Sequence, residues 1–145
     1  MNNQLISGKR RARKLALQSL YQWFMAGDEL TAIEAQFHAM NNMEKVNVEY
    51  YRRLLYGVPK ELASIESALQ TVLDRSIAQL NPVELTILRL CTFELLHCLE
   101  IPYRVILDES VSLAKTFGSQ DGHKYVNGVL HNLAKTLRKT EVNNL

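Results

Sequence analysis

The sequence is poor in residues that break helices or cross-link a chain. Its 145 residues include only 6 glycines, 3 prolines and 2 cysteines. So few breakers favour helices over a turn-rich β-fold. Cys91 and Cys98 form no CxxC motif, and we interpret them as free thiols of a reducing compartment rather than as disulfide or zinc ligands.

Long apolar runs are also lacking. No stretch approaches the roughly 20 apolar residues that a transmembrane helix needs, and the basic N-terminus has no signal-peptide core or cleavage site. We therefore expect a cytoplasmic protein without a membrane partner. With 47% hydrophobic and 22% charged residues, the composition is that of a globular protein. We predict one domain, residues 1–145, with frayed tails at 1–8 and 140–145.

Helix start and stop signals predict an all-α fold of about seven helices. The first three are expected over Arg10–Met25, from a capping box at Thr31 and Glu34 to Asn41, and over Val46–Tyr56 with Gly57 at its end. The fourth should start at Pro59, and the fifth at Asn81 and Pro82 with a capping box from Glu84. The sixth should run from Pro102 to Gly118, and the seventh should be capped by Ser119.

Hydrophobic periodicity identifies the expected core. Leu85 to Leu96 is apolar on most sides, which predicts a helix through the centre of the fold. The inward positions of the last two helices should be Tyr103, Leu107, Ser110, Ala114 and Phe117, then Val126, Leu130, Leu133 and Leu137.

No catalytic constellation is present. Nucleophile elbows, phosphate loops, dinucleotide fingerprints and HExxH motifs are all missing. Asp108 and Glu109 are adjacent, so they point about 100° apart on a helix and are interpreted as a solvated face. His97 lies beside Cys98, but no second ligand pair closes a metal site. The sequence therefore predicts a non-enzymatic protein without metal or cofactor.

Positive charge is concentrated at the N-terminus. The net charge is only +2, yet five cations fall within residues 9–14 and no acid precedes Asp28. On a helix, Arg10, Lys14, Gln18 and Tyr21 share one side, which suits phosphates and unstacked bases. The predicted RNA-binding residues here are Lys9, Arg10, Arg11, Arg13, Lys14 and Gln18. A solvated basic surface is the alternative.

A second candidate site lies late in the chain. His123, Asn127 and His131 are spaced along the helical face opposite the core stripe, and Lys124 and Tyr125 lie beside them. The first turn of a helix also presents free amides to an anion. The candidate residues for contact with a ligand here are His123, Lys124, Tyr125 and Asn127, with a half-exposed polar face as the alternative.

These two segments also resemble a known family. Arg11-Ala12-Arg13 with the following Gln18 and Tyr21, the stretch from Ile101 to Gly118, and above all His123-Lys124-Tyr125-Val126-Asn127-Gly128-Val129-Leu130 resemble the NusB family. The similarity covers nearly the whole chain. Two departures are Gly122, where the family commonly has serine, and Tyr125, where phenylalanine is frequent.

The resemblance implies two packed, antiparallel helical subbundles and a role in transcription antitermination. It implies binding of single-stranded boxA-like RNA together with the ribosomal protein NusE, within an RNA polymerase complex that supports ribosomal RNA synthesis. It assigns RNA contacts to Arg10, Arg11 and Arg13, and partner contacts to Tyr21 and Glu84. In the late segment it assigns RNA contacts to Asp121, His123, Lys124, Tyr125 and Asn127. We expect the two RNA-binding segments to share one surface.

Two other functions remain open at this point. NusB-like domains also precede ribosomal RNA methyltransferase domains, so one alternative is that the chain serves an RNA-modifying enzyme, although no methyl-donor-binding fold is present in it. A helical scaffold that binds only proteins is the other alternative. A homodimer is compatible with the exposed apolar positions.

Overall fold

The structure, a computed structural model, describes residues 3–144 and is all-α there, as predicted. Its eight α-helices are α1 (Asn3–Ala26), α2 (Leu30–Met40), α3 (Val48–Lys60), α4 (Leu62–Gln70), α5 (Pro82–His97), α6 (Tyr103–Phe117), α7 (Gly122–Leu137) and α8 (Lys139–Asn143). A short 3-10 helix covers Ile77–Gln79. The chain divides into two compact units, residues 1–60 and 61–145.

The boundary between the units differs from the helix break predicted at Pro59. Gly57 and Pro59 both lie inside α3, which ends at Lys60, and α4 begins at Leu62. Proline removes the hydrogen bond to the carbonyl four residues earlier. Because Pro59 is the penultimate residue of α3, the loss falls where the helix is already ending.

In the first unit, α1 packs against α2 and α3. Leu17 and Leu20 of α1, Ile33 of α2 and Leu54 of α3 are buried in this core. Within it, the Ser19 and Tyr51 hydroxyls lie 2.8 Å apart in a hydrogen bond. Burial raises the pKa of the Tyr51 phenol, so the ring stays neutral inside the core.

The first helix begins earlier than its sequence signals suggest. It starts at Asn3 rather than near Arg10, so residues 3–8 are helical and not a frayed tail. Gly8 is buried, and its carbonyl accepts a hydrogen bond of 3.0 Å from the Asn47 N–H. This long-range bond holds a segment whose own sequence carries no start signal. At the other end, residues 139–143 form α8.

The capping box predicted at Thr31 is wrong. The second helix starts at Leu30 after Glu29, and Thr31 lies inside it. Glu34 instead accepts a hydrogen bond of 2.6 Å from the Tyr56 hydroxyl and pairs with Arg52 at 2.7 Å. The Glu34 carboxylate is therefore bonded to residues of α3 and does not cap the start of α2.

In the second unit, α5 is the central helix, as predicted. Every residue from Glu84 to Leu95 is buried, and α5 packs against α4, α6 and α7. The Asn81 cap is confirmed, since its side chain accepts hydrogen bonds from the N–H groups of Val83 and Glu84. Of the predicted inward positions on α6 and α7, only Phe117 and Leu137 are half-buried rather than buried.

A buried arginine closes the C-terminal part of this unit. Arg138 is 6% exposed. Its guanidinium donates to the carbonyl oxygens of Glu94, Leu95, Cys98 and Ile101 and to the Glu141 carboxylate, at 2.7 to 3.2 Å. The last carbonyls of a helix lack the N–H partner that a further turn would supply. Arg138 supplies a donor to the Leu95 carbonyl at the end of α5 and a second donor to the Glu94 carbonyl, which also accepts from the Cys98 N–H.

Candidate nucleic-acid interface

The predicted basic segment lies on one unbroken helix, α1. Arg10, Arg11 and Lys14 are exposed, and Lys9 is half-buried. Among residues 3–144, Arg11 and Lys14 have no acidic partner within ion-pair distance. Their charge is therefore available to an external anion.

Arg13, which is also predicted to contact RNA, differs from these neighbours in its exposure. It is only 2% exposed, and its guanidinium lies 5.4 Å from the centre of the Tyr50 ring. Lys9 and Arg53 approach the same ring at 5.1 and 5.9 Å. Cations over an aromatic face are attracted by the ring quadrupole, so Arg13 fastens α1 to α3 in this conformation and does not reach solvent.

A groove of about 420 Å³ lies between α1 and the α2–α3 connection, and we call it the N-terminal groove. Its polar lining consists of Arg11, Lys14 and Gln18 from α1 and Asn41, Asn42 and Lys45 from the connection. Leu15 and Val46 complete the lining, which contains no acidic residue. Three of the predicted RNA-binding residues thus share one groove with three residues that the sequence interpretation did not single out.

The second predicted segment begins at a left-handed turn. Asp121 has φ +66°, and α7 starts immediately after it, at Gly122. The prediction that Ser119 caps α7 is therefore wrong. Its N–H and its hydroxyl both donate to Oε2 of Glu84, at 3.0 and 2.6 Å. The predicted capping box at Glu84 is wrong for the same reason, because its carboxylate is engaged by the α6–α7 connection.

Gly122 leaves room for the Glu84 carboxylate. A Cβ at this position would lie 2.7 Å from Cδ of Glu84, closer than real side chains approach. Glu84 is 8% exposed. The predicted partner-binding carboxylate is thus largely buried and bonded within its own unit, while Tyr21, the other predicted partner residue, is half-buried on α1.

The polar face of α7 carries the remaining candidates. Lys124 and Asn127 are exposed and His123 is half-buried. Lys124 lies 3.4 Å from the Asp121 carboxylate, and both side chains are well exposed. This pair is worth little in water, so Lys124 can exchange it for a phosphate.

Tyr125 is positioned by two residues that the sequence interpretation missed. Its hydroxyl donates to Asp74 at 3.3 Å, and the Arg75 guanidinium lies 4.7 Å from the centre of its ring. Arg75 also donates to Asp74, which holds the pKa of that carboxyl below its usual value. Partial burial raises the pKa of the Tyr125 phenol. The result is a neutral ring layered with a guanidinium, an arrangement suited to stacking on a base.

The two candidate segments belong to different units. The α1 cations and Tyr21 lie in the first unit, whereas Glu84 and residues 121–127 lie in the second. Their use as one continuous surface stays a prediction.

The two cysteines and the Asp108–Glu109 pair are the remaining residues that were considered for metal binding or catalysis. Within the described part of the chain no group of three metal-ligating side chains occurs. Cys91 and Cys98 are buried, and neither is in a disulfide. Asp108 is exposed as predicted, but Glu109 is buried, so only the first of that pair belongs to a solvated face. No helix in residues 3–144 has the length and hydropathy to span a bilayer.

Comparison with known sequences gives a consistent result. The NusB family model matches residues 10–135. The transcription antitermination protein NusB of Legionella pneumophila (strain Corby) is 63% identical over 98% of this chain and 97% of its own length. The protein of the same name from Pseudomonas savastanoi pv. phaseolicola is 53% identical over 94% of this chain and 83% of its own.

Solved structures agree in fold. The NusB of T. maritima superposes with a TM-score of 0.75 at 29% identity, covering 88% of this chain and 91% of that one. A chain in a crystal structure of the antitermination factors NusB and NusE in complex with dsRNA gives a TM-score of 0.75 at 26% identity, covering 87% and 95%. Both the all-α fold and the family resemblance expected from the sequence are confirmed: the chain belongs to the NusB family of transcription antitermination proteins.

Proposed function

We propose that this chain binds boxA-like single-stranded RNA together with the ribosomal protein NusE, as a non-catalytic factor in an RNA polymerase antitermination complex that promotes read-through and ribosomal RNA transcription. The observation that carries the proposal is the charge of α1, where Arg11 and Lys14 are exposed without an acidic partner in residues 3–144. The solved complex of NusB and NusE with dsRNA supports RNA and NusE as partners.

The cations supply the affinity. Each phosphate that a lysine or arginine neutralises releases condensed counterions, so binding weakens as salt rises. The full stretch from residue 1 to residue 27 contains no acid, so nothing on this helix repels a backbone that follows it. Lys9 and Arg10 extend the same positive region.

The second unit supplies groups that distinguish bases. Amides and aromatic rings contact unpaired bases, whose edges and faces are accessible only when they are unstacked. Tyr125, Asn127 and His123 offer a ring, an amide and an imidazole, and Lys124 and Asp121 flank them. These residue types are the reason for proposing a single-stranded target.

Partner binding is proposed for Tyr21 and, through the loop it organises, for Glu84. A half-buried tyrosine offers both an apolar ring and a polar hydroxyl, which suits an interface. Self-association through exposed apolar side chains, among them Met25 and Met40, is a competing use of the surface. We propose a cytoplasmic location because the proposed RNA and ribosomal-protein partners are found there.

The decisive measurement is fluorescence anisotropy of a labelled boxA-like RNA, titrated at several salt concentrations with and without NusE. We expect the Arg10→Ala, Arg11→Ala double variant to bind more weakly. The slope of log affinity against log salt should fall by about 0.7 for each lost phosphate contact on single-stranded RNA.

A matched control removes two charges elsewhere. Lys60→Ala with Lys139→Ala takes away two exposed cations at the ends of α3 and α8, and its slope should equal that of the unmodified chain. If the unmodified chain shows no RNA binding with or without NusE, the protein-only scaffold is the correct alternative.

A further inference from the structure

We propose that the N-terminal groove is a nucleotide-binding site that extends the RNA interface onto the α2–α3 connection, with Asn41, Asn42 and Lys45 as contact residues. The inference rests on the proposed RNA-binding function and adds a specific subsite to it. The groove's volume of about 420 Å³ lies within the roughly 300–1,000 Å³ range of small-ligand sites.

The groove concentrates unpaired positive charge. Arg11, Lys14 and Lys45 all line it and all are exposed. None of the three has an acidic partner within ion-pair distance in residues 3–144. Since like charges repel, three unneutralised cations around one groove are best explained by an anionic occupant. A phosphate of the RNA backbone meets that requirement.

Three side-chain amides line the groove beside these cations. In each of them one polar group, either the NH₂ or the oxygen, is already hydrogen-bonded within the protein. Gln18 and Asn41 donate through their NH₂ groups to the carbonyls of Lys14 and Phe37, at 3.1 and 2.9 Å. Both bonds leave the amide oxygen as an acceptor. Asn42 is bonded the opposite way, because its Oδ1 accepts from the Glu44 N–H at 3.0 Å. Its NH₂ group is left as a donor.

The groove therefore offers acceptors and donors at fixed positions. Donors and acceptors of this kind read the edge of an unpaired base, which itself presents both types of group. A phosphate on the cations and a base edge on the amides together describe one nucleotide of single-stranded RNA.

The connection is held in place before any ligand arrives. The Asn47 N–H donates to the Gly8 carbonyl at 3.0 Å, and the Asn47 side chain accepts from the Tyr50 N–H at 2.9 Å. The Val46 N–H closes a turn onto the Met43 carbonyl. A preorganised loop loses less conformational entropy on binding.

A neighbouring groove shows on which side of Arg11 and Lys45 an acidic residue limits the proposed site. It is about 650 Å³ in volume and shares Arg11, Lys45 and Val46 with the N-terminal groove. Its lining includes Glu44, which repels phosphate. The acid-free N-terminal groove is therefore the side on which the nucleotide should lie.

The test uses the full chain and a labelled boxA-like single-stranded RNA in anisotropy titrations. Lys45→Ala should weaken binding about fivefold at moderate salt and lower the salt slope by about 0.7. Asn42→Ser retains an oxygen that can accept from the Glu44 N–H but lacks the NH₂ donor. It should weaken binding by about threefold to tenfold with the slope unchanged.

Lys60→Ala is the matched control, because it removes one exposed lysine of the same unit that lines neither groove. Thermal unfolding followed by circular dichroism checks that each variant is folded. As an independent readout, RNA carrying 4-thiouridine should photo-cross-link to residues 41–46.

The inference is overturned if Lys45→Ala has the affinity and slope of Lys60→Ala while the unmodified chain binds RNA. Cross-links confined to other segments would overturn it as well. Either outcome leaves the proposed function intact, whereas the absence of RNA binding by the unmodified chain would remove the function and the subsite together.

Discussion

Glu84 holds Ser119 by two hydrogen bonds to a single oxygen. The Ser119 N–H and hydroxyl lie 3.0 and 2.6 Å from Oε2 of Glu84, although the residues are 35 positions apart in the chain. The pair connects the first turn of α5 to the α6–α7 connection, which leads into the proposed RNA-binding segment. A residue predicted to contact a partner therefore has a structural role in the unit itself.

Removing this carboxylate should destabilise the second unit. Hydrogen bonds to a charged group contribute about 1.5–3 kcal/mol, so Glu84→Ala should lower the free energy of unfolding by about 2–3 kcal/mol. Glu84→Gln should cost about 1 kcal/mol, since it keeps an acceptor but not the charge. Urea unfolding measures both. Asp108→Asn, at an exposed carboxylate, is the control, and equal stability of Glu84→Ala and the control would contradict the assignment.

A side chain at Gly122 should displace the Glu84 carboxylate from its hydrogen bonds to Ser119. A methyl group there would overlap the Glu84 carboxylate, so Gly122→Ala should destabilise by about 1–3 kcal/mol despite the better helix propensity of alanine. Gly128→Ala, in the same helix with nothing within 4 Å of the added Cβ, should instead stabilise by about 1 kcal/mol. Both are measured by urea unfolding.

A double variant separates the steric cause from others. Glu84→Ala creates space beside Gly122, so the cost of Gly122→Ala should be smaller in that background than in the unmodified chain. A double-mutant cycle reports the difference as an interaction energy. Strict additivity would mean that Glu84 is not what excludes the side chain.

Replacing Arg138 should destabilise the protein, even when the new residue is lysine. Its guanidinium contacts four carbonyls and one carboxylate, and the ammonium of lysine has only three donors on one atom. Arg138→Lys should lower the free energy of unfolding by about 2–4 kcal/mol, because several buried acceptors lose their donor. Thermal and urea unfolding test this, with Lys139→Ala as an exposed neighbour whose loss should change stability by less than about 0.5 kcal/mol.

Tyr125 provides a test of base stacking in the second unit. Stacking on an aromatic ring contributes about 1–3 kcal/mol per base, so Tyr125→Ala should weaken RNA binding about 5- to 150-fold. Tyr125→Phe keeps the ring and the Arg75 contact and should bind like the unmodified chain. Anisotropy titrations decide the matter, and similar losses in both variants would assign the effect to the hydroxyl and Asp74 instead.

Local signals predicted the fold well wherever a helix depends on its own sequence. The Asn81 cap followed by Pro82 fixed the start of α5, and the apolar character of Leu85–Leu96 predicted its central position. Both predictions are confirmed. They could be made from the sequence because they depend on residues that are close together in the chain. The all-α class follows from the same kind of information.

The wrong predictions share a different cause. Thr31 with Glu34 forms a valid capping pattern, but the Glu34 carboxylate is bonded to Tyr56 and Arg52 of α3. Ser119 could cap α7 by its position in the sequence, but its hydroxyl donates to Glu84 of α5. The burial of Arg13 against the Tyr50 ring of α3 was equally invisible in the sequence, where its surroundings resemble those of its exposed neighbours. No local pattern reports which helix packs on which face.

The candidate site was predictable only in part for the same reason. The cations of α1 and the polar face of α7 are visible in the sequence, but Asp74 meets Tyr125 across 51 positions. Asn41, Asn42 and Lys45 form an ordinary polar connection until the fold places them beside Arg11 and Lys14.

The beginning of the chain affects the N-terminal groove although Gly8 does not line it, because the Gly8 carbonyl holds the end of the α2–α3 connection. Because the Asn47 N–H is anchored there, trimming the chain ahead of Lys9, by a protease or by the choice of expression boundary, would release the start of α3 and loosen the connection that follows α2. A shortened protein could keep every RNA-contacting side chain and still present them on a less ordered surface.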